Sequence, residues 1–140
     1  MRQFPESKNI NYIQAVKLQK EKGKKGAIEV LYKHNGRVLE CTRSNFFIVK
    51  KGVLITPAKD ILKGLTRDKT IQLAKKAKFK VEEREVAEKE VFNADEAFIT
   101  TTSKKILPIV KIDSQKIGSG QPGPITKELM KLFDDCAKNY

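Results

Sequence analysis

Three short segments and one lysine carry the residues of this chain that could do chemistry together. Val38 to Asn45 (VLECTRSN) sets a carboxylate, Glu40, at the end of an expected strand and follows it with small polar residues and Arg43. Lys63 to Arg67 (KGLTR) opens an expected helix and suits a phosphate group. Ile99 to Pro108 (ITTTSKKILP) places four hydroxyls in a row, Thr100 to Ser103. Lys8, near the N-terminus, adds an amine. Together these supply an amine, an acid and two anion cradles, the parts that a phosphorylated aldehyde cofactor needs.

Each signal has an ordinary reading when taken alone. The first N–H groups of a helix have no intrahelical partner and the helix dipole is positive there, so Gly64, Leu65 and Thr66 could hold a phosphate. Thr66 as a simple helix cap and Gly64 as a turn residue is the better reading of that motif by itself. Threonine is a common strand residue, which covers the Thr100–Thr102 run. A carboxylate held against a pyridine nitrogen keeps it protonated and makes the ring an electron sink, yet a surface glutamate paired with Arg37 or Arg43 is the better reading of Glu40 by itself. Lys8 is one lysine among many, and a Schiff-base lysine needs a depressed pKa that composition cannot reveal.

The elements that must position these groups are legible from pattern. A helix is expected near Tyr12 to Lys22, ended by the Gly23–Gly26 segment. Ala27 to Tyr32 alternates as a strand, Asn35-Gly36 signals a turn, and Arg37 to Glu40 returns. Asn45–Lys50 and Val53–Thr56 form a hairpin around Lys51-Gly52. Thr66 to Lys78 reads as a helix with Thr70, Leu73, Ala74 and Ala77 on one buried stripe. A strand over Lys80–Val86, a short helix over Ala87–Asn93 and strands over Asp95–Thr101 and Ile106–Ile112 follow. A last helix starts near Pro124, with Ile125, Leu129, Leu132, Phe133 and Cys136 on one face. Hairpins mixed with helices argue a mixed α/β domain rather than a regular βαβ array.

Composition narrows the function classes. At 140 residues the expectation is one domain over residues 1–140. Hydrophobic content of 39% and charged content of 33% suit a folded, soluble protein. No apolar run approaches the ~20 residues of a membrane span, and the start MRQFPESKN lacks a signal-peptide core, so a cytoplasmic protein is expected. One histidine and two widely separated cysteines, Cys41 and Cys136, argue against a zinc site and against a disulfide. The net charge of +12 raises the possibility of nucleic-acid binding. The lysines are spread over every segment without interleaved aromatic platforms, so no nucleic-acid partner is expected.

The order of the blocks adds a resemblance. SKNINYI, GRVLECTRSNFFIVKKGVLITP, ILKGLTRDKTIQLAKK, VEEREV, ADEAFITTTSKKILPIVKID and IGSGQPGPITKEL follow one another from about Phe4 to about Phe133. In that order they resemble the C-terminal domain of class IV (fold-type IV) pyridoxal-phosphate-dependent aminotransferases. That family includes branched-chain aminotransferases, D-amino acid aminotransferases and aminodeoxychorismate lyase. The resemblance implies the D-amino acid aminotransferase-like fold, with β-hairpins in a barrel-like sheet flanked by helices. It implies pyridoxal 5'-phosphate as cofactor and amino-group transfer between an amino acid and a 2-oxo acid.

By the same resemblance, Lys8 is the lysine that bonds the cofactor aldehyde and then shuttles the proton. Glu40 is the acid on the pyridine nitrogen. Leu65 and Thr66 form the phosphate clamp, Thr102 makes a second phosphate contact, and Tyr12 lies near the phenolic oxygen. Ser103 and Lys104 face the substrate carboxylate. Three features depart from the family pattern. The family's N-terminal domain is absent from the sequence, so a partner chain or domain is expected to complete the pocket, with a homodimer as in relatives. Arg43 and Ser44 stand where relatives carry small or other polar residues. Lys104 and Lys105 occupy a stretch that is elsewhere smaller or acidic; their charge either favours an acidic substrate or simply faces solvent. Alternative readings are a lyase that eliminates pyruvate with the same lysine and a non-catalytic basic binding module that keeps the fold.

Overall fold

The computed structural model describes residues 10–15, 29–34, 36–41, 44–58, 61, 63–102, 105–113 and 115–138. Among these the chain runs β1 (Ile10–Ala15), β2 (Glu29–His34), β3 (Arg37–Cys41), β4 (Asn45–Lys50), β5 (Val53–Thr56), α1 (Leu65–Lys76), β6 (Lys80–Glu83), β7 (Val86–Ala87), α2 (Glu88–Phe92), β8 (Glu96–Thr101), β9 (Lys105–Ile112), β10 (Gln115–Lys116) and α3 (Pro124–Lys138). The mixed α/β class expected from the pattern holds. The strands join in one sheet ordered β6-β5-β4-β8-β9-β1-β2-β3-β7, with β10 paired to β9. That path has two ends, β6 and β7, and a single pair, Glu40↔Asn45, also joins β3 to β4. The sheet is open and mixed, and the barrel-like form implied by the resemblance is not established by these pairings.

Local chemistry explains most elements. The β4–β5 hairpin turns at Lys51 (φ 49°) and Gly52 (φ 78°). Positive φ at both central residues is the turn whose twist matches two antiparallel strands. Between β5 and β6 the chain makes one βαβ unit: β5 and β6 pair in parallel, with α1 as the crossover. A regular βαβ array was not expected, and this single unit is the exception.

Two expectations are corrected. Ile10 to Ala15 is a strand and not the start of a helix; it pairs with β2 on one side and β9 on the other. Ile10, Tyr12 and Ile13 are good strand formers, and two neighbouring strands offer backbone partners that outweigh a weak helical pattern. Residues 16–28 lie outside the described residues. The buried residues of α1 are Arg67, Thr70, Ile71 and Ala74, while Ala77 is exposed. The 3.6-residue period was right, but the stripe starts on Arg67 and is read one turn earlier.

The sheet separates two apolar clusters. Phe46 and Ile48 of β4 pack with Leu31, Val38, Ile99 and Ile109. Phe47 and Val49, the alternate residues, pack with Phe98, with Ile71 and Ala74 of α1 and with Leu129 of α3. This alternation is the period-two consequence of a strand buried on both faces. Phe47 and Phe98 are register partners and stack with ring centroids 4.8 Å apart. α1 and α3 therefore cover the second face, while Val91 of α2 packs into the first cluster, and the functional residues gather at one end of the second face.

Candidate functional site

The site is a row of polar side chains across three strands. Glu40 ends β3, Asn45 begins β4 and Thr100 lies near the end of β8; Glu40 pairs with Asn45 and Asn45 with Thr100. Directly paired residues present their side chains on one face about 5 Å apart. Asn45 shares its face with Phe47 and Val49, the helix-covered side. All three residues are buried, Glu40 at 4% exposure and Thr100 at 2%. Thr100 Oγ1 and Ser44 Oγ, next to Asn45 in the chain, are buried with no hydrogen-bond partner. Buried hydroxyls are nearly always paired, so two orphans at one end of the sheet need an explanation.

A β-bulge puts Glu40 in that row. On β2 the step from Leu31 to Lys33 is two residues, while their β3 partners, Cys41 and Val38, are three apart. The extra residue breaks the alternation of β3. Val38 packs into the first apolar cluster. By strict alternation Glu40 would follow Val38 to that side; after the bulge it pairs with Asn45 on the other. The upstream half of β3 is held by β7 through Arg37↔Ala87 and Val38↔Val86. The β6–β7 turn that delivers β7 is clamped by Arg84, which donates to Glu82 Oε1 at 3.0 Å, to Glu90 Oε2 at 2.9 Å and to the Glu85 carbonyl at 2.8 Å. Hydrogen bonding from Arg84 lowers the pKa of Glu90, and the reciprocal bond raises that of Arg84.

The start of α1 lies beside the row. The Gly64 backbone N–H donates to Asn45 Oδ1 at 3.1 Å. Gly64 is the residue preceding the helix, and no side chain caps it. Thr66 is thus in the first turn and does not cap the helix, contrary to the simpler reading of its motif. Leu65 is 85% exposed, the one large apolar side chain so exposed among the described residues. The first-turn N–H groups of this helix, with its positive dipole end, remain available to an anion.

Beneath that turn lies Arg67, 1% exposed. Its guanidinium donates to the Pro57 carbonyl at 3.0 Å and to Glu83 Oε1 at 2.9 Å. It ties α1 to β6 and to the loop between β5 and α1, and so fixes where the first turn sits. The start of α3 is filled by the protein itself: Glu96 of β8 accepts from the Thr126 N–H and Oγ1, both at 2.7 Å, and from the Ile125 N–H at 3.2 Å. Of these two helix starts, that of α3 is already occupied by a carboxylate.

Among the residues expected from sequence, the structure brings Glu40, Leu65 and Thr66 to one end of the sheet through Asn45 and Gly64. Thr102 follows β8 two residues beyond Thr100 and is exposed. Tyr12 lies on β1, paired with Val30. Lys8, Ser103 and Lys104 lie outside the described residues. Reading by sequence missed Asn45 and Arg67, and took Thr100 only as the first of four hydroxyls that could face an anion. Arg67 had a signal, a charged residue at the head of the α1 stripe; Asn45 had only its place in the quoted blocks.

The family profile described as amino-transferase class IV matches residues 1–112. The chain is 39% identical over 130 residues to a D-alanine aminotransferase of Bacillus licheniformis, covering 91% of this chain and 46% of that protein. It is 42% identical over 101 residues to a branched-chain-amino-acid aminotransferase of Pseudomonas aeruginosa, covering 71% of this chain and 33% of that one. A solved T.th. branched-chain amino acid aminotransferase, complexed with N-(5'-phosphopyridoxyl)-L-glutamate, superposes with a TM-score of 0.75 at 32% identity, over 79% of this chain and 37% of the other. The chain spans less than half the length of these relatives. A profile match over 112 of 140 residues, on a sheet that superposes this well, has one reading: the chain belongs to the class IV aminotransferases.

Proposed function

We propose that this chain contributes the cofactor-binding part of a pyridoxal 5'-phosphate-dependent enzyme that moves an amino group between an amino acid and a 2-oxo acid. The observation that carries this reading is the convergence of a buried carboxylate, Glu40, with an uncapped helix start through the single residue Asn45. The orphan hydroxyls of Ser44 and Thr100 fit the same reading, since a polar ligand would supply their missing partners. The T.th. relative has been solved with a phosphopyridoxyl ligand and with pyridoxamine 5'-phosphate.

When bound, this cofactor supplies an electron-accepting ring that lets an amino acid lose its α-proton. The residues of this chain do the rest. Glu40 would be the acid facing the ring nitrogen and would keep a proton there, an interaction that its burial strengthens. The first-turn N–H groups of α1 and the Thr66 hydroxyl bind the phosphate, with Thr102 as a second contact. Lys8 would be the amine that holds the cofactor, and the group that would move the proton at the substrate carbon. By the family resemblance, Tyr12 would meet the phenolic oxygen, and Ser103 and Lys104 would receive the substrate carboxylate. A further domain or a second chain, in a homodimer, completes the substrate pocket.

The test is spectroscopic. Pyridoxal 5'-phosphate added to the chain is expected to give a long-wavelength absorbance band that survives gel filtration and is lost in Lys8→Ala. Identical spectra for the two proteins would remove Lys8 as the anchor.

A further inference from the structure

We infer that Asn45 is a positioning residue: it holds the anion-binding start of α1 level with Glu40, and so sets the preference of this site for a phosphorylated over an unphosphorylated cofactor. The inference rests on the proposed function and goes on to say how the phosphate site is placed.

Asn45 is the link, among the described residues, between the two halves of the site. Its backbone pairs with Glu40 on one side and Thr100 on the other, while its side chain accepts the Gly64 N–H at 3.1 Å. Gly64 shows how tight that link is. Its φ of −76° and ψ of 162° are open to any residue, so no backbone conformation demands glycine. A Cβ at Gly64 would instead come within 3.1 Å of Asn45 Oδ1, closer than ordinary van der Waals contact. The missing side chain lets the helix start approach Asn45.

The choice of asparagine has a physical reason. The Gly64 N–H precedes α1 and is partly buried, and such a donor left unpaired is costly. An aspartate would satisfy it equally well but would set a second negative charge beside Glu40, at a helix end meant for a phosphate. Asparagine gives the acceptor without the charge. Thr100 Oγ1, buried beside it and without a partner, independently marks this face as one that meets a polar ligand.

The experiment compares pyridoxal 5'-phosphate with pyridoxal, titrated by absorbance onto the whole chain and onto Asn45→Ala, Asn45→Asp and Gly64→Ala. Wild type is expected to prefer the phosphorylated compound. Asn45→Ala should cut that preference about fivefold, the effect of one backbone hydrogen bond, because affinity for the phosphorylated compound falls by more than affinity for pyridoxal. Asn45→Asp should cut it further although it keeps an acceptor, and Gly64→Ala should lower it too. Glu96→Ala, which removes the buried 2.7 Å bonds to Thr126 at the start of β8, the opposite end of that strand from Thr100, should lower the melting temperature without moving the preference. Retention of the full preference in the Asn45 variants overturns the inference alone, as does an equal loss for both ligands, which would make Asn45 merely structural. A wild-type chain with no preference at all overturns the phosphate site of the proposed function, and this inference with it.

Discussion

The guanidinium of Arg67, almost wholly withdrawn from water, reaches Glu83 Oε1 at 2.9 Å while the glutamate side chain keeps 37% exposure. The pair is therefore asymmetric: the arginine depends on it and the glutamate does not. Glu83→Ala should cost about 2–3 kcal/mol by leaving a buried cation with only the longer ion pair to Asp68 Oδ1, at 3.6 Å. Arg67→Met, which removes the buried charge and keeps the bulk, should cost less than Glu83→Ala. Urea unfolding of both variants checks this; a larger loss for Arg67→Met would mean that the Pro57 carbonyl, and not Glu83, is the contact that matters.

Glu96 and Gly123 make a second testable pair. The carboxylate takes three hydrogen bonds at the start of α3, and a Cβ on Gly123 would collide with its side chain. Glu96→Ala should destabilise by about 2 kcal/mol as a lost buried cap. Gly123→Ala should also destabilise by displacing that carboxylate. Because both act on one contact, the double variant should cost clearly less than the two losses added. Additive losses in thermal unfolding would show that Gly123 is constrained by something other than Glu96.

The Arg84–Glu90 pair predicts a shallow pH dependence. Hydrogen bonding from Arg84 lowers the Glu90 pKa below the ordinary glutamate range. A depressed carboxyl pKa adds stability above the unfolded pKa, and that stability is lost as pH falls through the folded value. Both side chains are more than a third exposed, so screening holds the effect below about 1 kcal/mol. Glu90→Gln should therefore lower the melting temperature slightly at neutral pH and match wild type in strong acid, below the folded value. A difference that grows toward acid would reverse the assigned sign.

Glu40→Gln should leave cofactor binding largely intact in the completed enzyme while slowing turnover by on the order of a hundredfold, because a neutral amide cannot hold the ring nitrogen protonated. Measuring the dissociation constant and kcat separately makes the distinction. Turnover equal to wild type would remove the electronic role of Glu40 and leave it a structural acid.

The local sequence alone determined the elements whose reasons are local. The β4–β5 hairpin follows from Lys51-Gly52 between two apolar strands, and α1 and α3 follow from their 3.6-residue stripes. Tertiary structure decided the rest. Ile10–Ala15 became a strand because the edges of β2 and β9 offered it hydrogen bonds, which no window of sequence contains. Arg67 became a core residue because Glu83 and the Pro57 carbonyl, distant in sequence, arrive to receive it. Glu40 could be picked out as an acid near a strand end, but its face could not: one extra residue opposite β2 turns it from the Val38 side to the Asn45 side. Side-chain period is a property of one strand, whereas a bulge exists only between two, and so the partner strand had the last word on where the acid points.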